Sequence, residues 1–183
     1  MHGNGCCNGR AQELWIKSKK FSLQRLLGDS VWKDFEGGSL VISRLAPQDY
    51  HRFHSPVDGC VASISPIMGK QFWTVNPLAI NSPVPVFSEN IRRVNIIESS
   101  VFGKVAFVCV GATMVGSIVY TDIMKEGSKV NKGADLGSYK FGGSTCITVF
   151  QKGRITFDAD LLESTSKQLE TLVKMGTSLG VAS

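Results

Sequence analysis

The chain has 183 residues, a formal net charge of +5, 43% hydrophobic and 19% charged side chains. That length suits one domain with its own hydrophobic core, and the composition is that of an ordinary globular protein. The lysines and arginines are scattered, with Lys17, Lys19, Lys20 and Arg92-Arg93 the only dense groups, so a nucleic-acid surface of interleaved basic and aromatic residues is not expected.

Residues 1–12 are rich in Gly, Asn and Cys and read as a disordered N-terminal segment. Phe21 to Leu27 fits a short helix, with Ser22 as N-cap and Gly28 as stop. Ser30 to Gly37 is helical or loop-like, and Ser39 to Leu45 is a strand candidate. Pro47 to His54 reads as a turn followed by an extended stretch. Ser55-Pro56-Val57-Asp58-Gly59 is a turn signal, with Asp58 suited to an Asx turn. Cys60 to Ile67 alternates as a half-buried strand does, and Gln71 to Val75 is read as another strand. Asn76 to Phe87 carries three prolines and is read as a loop.

Val94 to Ile97 is a strand candidate. Val105 to Thr121 carries no charge, yet it is short for a spanning helix, which needs about 20 apolar residues. Gly111, Gly116 and its β-branched residues predict two buried strands joined near Gly111-Ala112. Lys129 to Gly137 reads as a turn between strands. Cys146 to Phe150 and Ile155 to Phe157 read as a hairpin, Asp158 to Leu169 as a helix, and Leu172 to Ser178 as a final strand. Many short strands at close spacing predict an α+β, mainly β fold: sandwich-barrel-like sheets with a few short helices. Of the five cysteines, Cys60, Cys109 and Cys146 sit in apolar runs and read as core residues, while Cys6-Cys7 lie in the N-terminal segment. The odd count and the lack of a C-x-x-C pair imply no disulfide framework.

Two constellations carry chemistry. His51-Arg52-Phe53-His54 holds two of the three histidines, the side chain best suited to proton transfer near neutral pH. On an extended segment the two rings would face opposite ways; in a turn they would converge. They read equally as polar turn residues, and no ligand spacing supports a metal site. The second is Phe141-Gly142-Gly143-Ser144-Thr145. It reads as a glycine turn feeding a strand, or more weakly as a phosphate loop, since no Lys and no helix follow. Gly-Ser is also where a chain can cut itself. The Ser144 hydroxyl attacks the Gly143 carbonyl to give an ester, the ester eliminates, and the resulting dehydroalanine terminus hydrolyses to a pyruvoyl group. These steps need a base, which a histidine supplies.

Tyr50-His51-Arg52-Phe53-His54-Ser55-Pro56, Val75-Asn76-Pro77, Phe102-Gly103, Val110-Gly111-Ala112-Thr113-Met114-Val115-Gly116-Ser117-Ile118 and Phe141-Gly142-Gly143-Ser144-Thr145 follow one another in this order. The set closely resembles phosphatidylserine decarboxylase, as do Trp15-Ile16-Lys17 with Phe21-Ser22-Leu23, and Glu170 to Gly176. The resemblance covers about residues 13 to 180 and makes 13–183 the catalytic domain. The Gly-Gly-Ser-Thr form is similar to the eukaryotic endomembrane branch; the Leu-Gly-Ser-Thr form typifies bacterial and mitochondrial members.

The resemblance implies cleavage between Gly143 and Ser144, giving pieces 1–143 and 144–183, with a covalent pyruvoyl cofactor derived from Ser144. It implies His54 as the base of self-processing and His51 beside the substrate carboxylate. It implies a carboxy-lyase that converts phosphatidylserine to phosphatidylethanolamine through a Schiff base, in phospholipid biosynthesis. Expected partners are the lipid substrate and a membrane surface, with a homodimer as a further expectation. The expected location is on endomembranes (Golgi, endosome, vacuole or ER) rather than the mitochondrial inner membrane. The family's self-processing triad includes an Asp upstream of the Trp15 region, and Asp49 and Asp58 occupy other positions. This predicts an N-terminally short form that self-processes slowly or not at all alone. The alternative is a non-catalytic lipid-binding barrel or unprocessed fragment. A lipoyl-type carrier, with Lys152 at a hairpin tip, is a third reading.

Overall fold

The computed structural model describes residues 13–16, 19–80, 82–113, 117–140 and 144–183. The expected disordered segment 1–12, with Cys6-Cys7, lies outside the described residues, as do Phe141, Gly142 and Gly143. The strands are β1 (Glu13–Ile16), β2 (Lys19–Ser22), β3 (Ser39–Leu45), β4 (Arg52–His54), β5 (Gly59–Ile64), β6 (Arg92–Ser99), β7 (Gly103–Val110), β8 (Ser117–Tyr120), β9 (Lys129–Val130), β10 (Asp135–Lys140), β11 (Ser144–Phe150), β12 (Ile155–Phe157) and β13 (Gly180–Ala182). The helices are α1 (Leu23–Leu27), α2 (Pro77–Ile80), α3 (Val86–Glu89) and α4 (Ala159–Ser166), with a 3-10 turn at Trp32–Phe35. The fold is α+β, mainly β, as the turn-punctuated sequence predicts.

The centre is a six-stranded antiparallel sheet in the order β3-β11-β7-β6-β5-β9. One face packs against α1, the 3-10 turn and α3, through Leu26, Phe35 and Phe87 onto Ile147 and Val108. The other packs against a three-stranded sheet, β4-β10-β8, through Phe53, Leu136 and Tyr139 onto Phe107 and Cys146. A strand covered on both faces has no need of alternation. All seven residues of β11 and the last six of β7 are therefore buried, which explains the uncharged run beginning at Val105. That run holds two strands, but only β7 is buried: β8 begins at Ser117, is half-exposed at the edge of the three-stranded sheet, and residues 114–116 lie outside the described residues. No helix among the described residues is long and apolar enough to cross a membrane.

Local chemistry sets several boundaries. The Ser22 hydroxyl accepts from the Arg25 amide, and Gly28 takes φ 88° to end α1, as the sequence predicts. The Asn76-to-Phe87 stretch is not a plain loop. Asn76 Oδ1 accepts from the Ala79 amide at 2.8 Å to start α2, and α3 follows Pro85. Gln71 to Val75 is not a strand beyond one bridge, Gln71 to Asn90, because the Asn90 side chain takes the Trp73 amide instead. The expected β11–β12 hairpin does not form either. Both edges of β11 are taken by β3 and β7, so β12 pairs with β13. Leu172 to Ser178 is irregular, turned by Gly176 at φ 86°, and the last strand comes later at Gly180–Ala182.

Within the stretch read as a turn, β10 already begins at Asp135. Gly137 lies in it beneath the Phe53 ring. An added Cβ would meet the Val119 carbonyl oxygen at 2.2 Å and Phe53 Cζ at 2.6 Å. Gly137→Ala is therefore expected to cost about 2 kcal/mol or more and to push β4 off β10. Urea unfolding checks this, and an unchanged midpoint would refute the close approach.

Candidate active site

The chain leaves β3 at Leu45 and turns at once. Asp49 Oδ2 accepts from the Ala46 amide at 2.8 Å, and the Asp49 amide donates to the Ala46 carbonyl at 2.9 Å. This turn delivers His51. Its Nε2 lies 3.1 Å from the Pro47 carbonyl oxygen, which can only accept, so the neutral ring carries its proton on Nε2. The Nδ1 lone pair is buried and has no hydrogen-bond partner among the described residues. The His51 carbonyl accepts from the Tyr139 amide at 2.9 Å, which fastens this segment to β10.

His54 sits in β4 opposite Asp135. Its Nδ1 lies 2.8 Å from the Gly133 carbonyl oxygen, so the neutral ring is protonated there and has its lone pair on Nε2. The Tyr50 hydroxyl, 3.1 Å away, donates to that lone pair, and the two rings stack at 5.8 Å. The two histidines thus hold opposite tautomers. Gly133 is placed by a double tie between turns: its amide donates to the Ser55 carbonyl at 2.8 Å and the Ser55 amide to the Ala134 carbonyl at 2.9 Å. Asp58 is structural, though not as an Asx turn; its Oδ1 accepts from the Lys132 amide at 2.7 Å. Beside His54, a hydrogen bond from Arg52 holds the Asp135 carboxyl below the usual carboxylate range.

Ser144 is the first residue of β11, opposite Leu45 on β3. It is fully buried, and its Oγ has no hydrogen-bond partner among the described residues. Side chains alternate along a strand. Ser144 therefore shares the face of Cys146 and Phe150, which is the face covered by β4 and β10, while Ile147 and Val149 point to the helices. Tyr139 bolts the two parts together. Its amide holds His51, and its hydroxyl donates to the Thr145 carbonyl at 2.9 Å and lies 3.3 Å from Cys146 Sγ.

Burial pushes the Cys146 thiol up to about 12 and the Tyr139 phenol well above its ordinary value. Both are neutral groups at pH 7, so the lone pairs suited to proton transfer here belong to the imidazoles. Neither imidazole hydrogen-bonds Ser144 among the described residues: His51 is tied to Pro47, His54 to Gly133 and Tyr50.

A cavity of about 710 Å³ opens between the layers, and its lining includes His54 but neither His51 nor Ser144. Leu45 and Cys146, which flank Ser144 across and along the sheet, line it with Phe53, Phe107 and Phe150. Its polar lining includes His54, Arg52, Lys132 and Lys174, with Asp58 the one acid. Among the described residues no three His, Cys, Asp or Glu side chains come together as metal ligands.

The sequence profile of phosphatidylserine decarboxylase matches residues 7–181. The chain belongs to the phosphatidylserine decarboxylase family. It is 53% identical over 175 residues to phosphatidylserine decarboxylase proenzyme 3 of Schizosaccharomyces pombe, covering 95% of this chain and 18% of that protein. It is 56% identical over 171 residues to phosphatidylserine decarboxylase proenzyme 2 of rice, covering 92% of this chain and 27% of that protein. It is 43% identical over 169 residues to the phosphatidylserine decarboxylase proenzyme of Fusobacterium nucleatum, covering 92% of this chain and 55% of that protein. The chain thus spans about half or less of these relatives' lengths. Tyr50, Gly133 and Tyr139 are the positioning groups that sequence reasoning did not single out. Tyr50, four residues before His54 in the family-like motif, offered a signal; Gly133 and Tyr139 act through long-range pairings and offered none.

Proposed function

We propose that this chain is the self-processing catalytic part of a phosphatidylserine decarboxylase, acting on phosphatidylserine to form phosphatidylethanolamine. The observation that supports this reading is the Ser144 hydroxyl, buried and without a hydrogen-bond partner among the described residues, at the head of β11 and directly after Gly142-Gly143 in the sequence. A buried hydroxyl left unbonded is costly, and such groups persist where chemistry needs them. With no hydrogen bond to hold it back, this Oγ is available to attack the Gly143 carbonyl. The peptide bond becomes an ester, elimination breaks that ester, and water releases ammonia from the new terminus. Pieces 1–143 and 144–183 result. His54, with its lone pair on Nε2, serves as base once Tyr50 yields its hydrogen bond. His51, with a buried lone pair on Nδ1, is the second group able to hold a proton beside the substrate.

The position fits a pyruvoyl group at residue 144, because β11 pairs there with Leu45 of β3 and, among the described residues, no side chain hydrogen-bonds the Ser144 Oγ. Such a group supplies an electron sink for loss of carbon dioxide. The cavity beside it suits an amphiphile: aromatic walls for acyl chains, and Arg52, Lys132 and Lys174 for an anionic headgroup. The working location is a membrane surface. Assignment to the endomembrane branch rests on Gly142-Gly143-Ser144-Thr145 and on the higher identity to the fission yeast and rice proteins than to the Fusobacterium one.

A second reading has its own observation. His54 is engaged at both nitrogens and does not touch Ser144, which is the arrangement of a chain that binds lipid without cutting itself. Intact-mass measurement separates the two. The first reading expects two pieces, formed slowly by this chain alone, with 144–183 lighter by one ammonia than a serine-terminated peptide. An unbroken chain of full mass would establish the second reading.

A further inference from the structure

From Gly59 to Ser88 the chain carries no acidic side chain and a single cation, Lys70. Its large apolar side chains divide into two sets. Val75, Val86 and Phe87 are buried in the core. Ile67, Phe72, Trp73 and Leu78 are exposed by 57, 43, 39 and 84%. Single exposed apolar residues need no explanation, but four within twelve residues of one segment call for one.

The backbone of this segment is clamped. The buried Asn90 side chain accepts from the Trp73 amide at 2.9 Å, donates to the Trp73 carbonyl at 2.7 Å and donates to the Gly111 carbonyl at 2.9 Å. Thr113 Oγ1 donates to the Phe72 carbonyl at 2.6 Å. Gly111 follows Val110, which lies opposite Thr145 on β11. Asn90 and Thr113 therefore tie Trp73 and Phe72, respectively, to the end of the sheet where Ser144 begins its strand.

We propose that Ile67, Lys70, Phe72, Trp73 and Leu78 form the surface by which the chain docks on an anionic lipid bilayer. The inference rests on the reading that the substrate is a lipid, since a lipid has to be reached where it lies. Trp and Phe partition to the boundary between headgroups and acyl chains, and a lysine among them favours an anionic leaflet. The charge also selects against a second copy of this chain as occupant, because two such patches would set Lys70 against Lys70 with no acid between them. Clamping lowers the entropy lost on docking, because the loop is already ordered.

The test uses the chain with vesicles of phosphatidylcholine and phosphatidylserine whose acyl chains are brominated, read by tryptophan fluorescence. Trp73 is expected to be quenched, and Trp73→Phe, which keeps an aromatic ring in place, removes that quenching. Phe72→Ser with Leu78→Asn is expected to weaken vesicle binding about ten- to a hundredfold, from the lost apolar burial. Full quenching in Trp73→Phe, or unchanged binding of the double variant, would overturn the proposal. So would a dimer in sedimentation that the double variant dissociates. Ser144→Ala is expected to keep full quenching. A chain that docks but releases no carbon dioxide refutes the chemical reading alone. A chain that decarboxylates soluble short-chain phosphatidylserine but is not quenched refutes the docking alone.

Discussion

Ser144→Ala is expected to leave the chain as one piece and to abolish carbon dioxide release from phosphatidylserine. Alanine has no oxygen with which to attack the Gly143 carbonyl, so neither the ester nor the new terminus forms, and no other residue supplies either. The effect is therefore complete rather than graded. A stability measurement makes the test sharper. The Ser144 hydroxyl is fully buried with no hydrogen-bond partner among the described residues, so the substitution removes an unsatisfied polar group and keeps the backbone of β11. Thermal unfolding of the variant is expected at or above that of an unprocessed parent chain, consistent with reactive groups being held at some expense of stability. Residual carbon dioxide release from a well-folded Ser144→Ala chain would sink the assignment.

His54→Ala and His51→Ala are expected to separate cutting from turnover. His54→Ala should slow conversion to two pieces by about 10²- to 10⁴-fold, the range that a positioned proton acceptor contributes. His51→Ala should leave cutting near the parent rate and lower decarboxylation by a similar factor, because its buried Nδ1 lone pair is unoccupied by any of the described residues. Time courses on denaturing gels, followed by release of labelled carbon dioxide from the cut material, read the two steps apart. If His54→Ala cuts as fast as the parent chain, the base lies elsewhere. If both variants fail at the same step, the division of labour is wrong.

Much of the architecture was legible locally. The cap at Ser22 and the stop at Gly28 are side-chain and backbone events within one helical turn. The buried strands β7 and β11 follow from uninterrupted apolar runs. Two of the misreadings share one cause, competition for hydrogen-bonding edges. Ile155 to Phe157 looks like the return strand of a hairpin until β3 and β7 are known to occupy both sides of β11. Gln71 to Val75 looks like a strand until a buried asparagine takes the Trp73 amide. The site divides similarly. Ser144, His51 and His54 declare themselves by residue type and spacing. What sets the tautomers does not: the Gly133 carbonyl is 79 residues from His54, and it is held by turns that only the folded chain brings together.

β11 lies inside the six-stranded sheet, paired along all seven residues with β3 and over six with β7. A break before Ser144 would sever the sequence without parting the strands. The severed protein would be two interlocked chains, the smaller one threaded through the larger by its most buried segment. An uncut chain folds by a unimolecular search in which its own connectivity brings β11 to its slot. Two separate chains would have to find each other in solution, at a rate set by their concentration. The nick would thus act as a ratchet, since the order of events, folding first and scission second, cannot be run backwards by a dilute solution of the pieces.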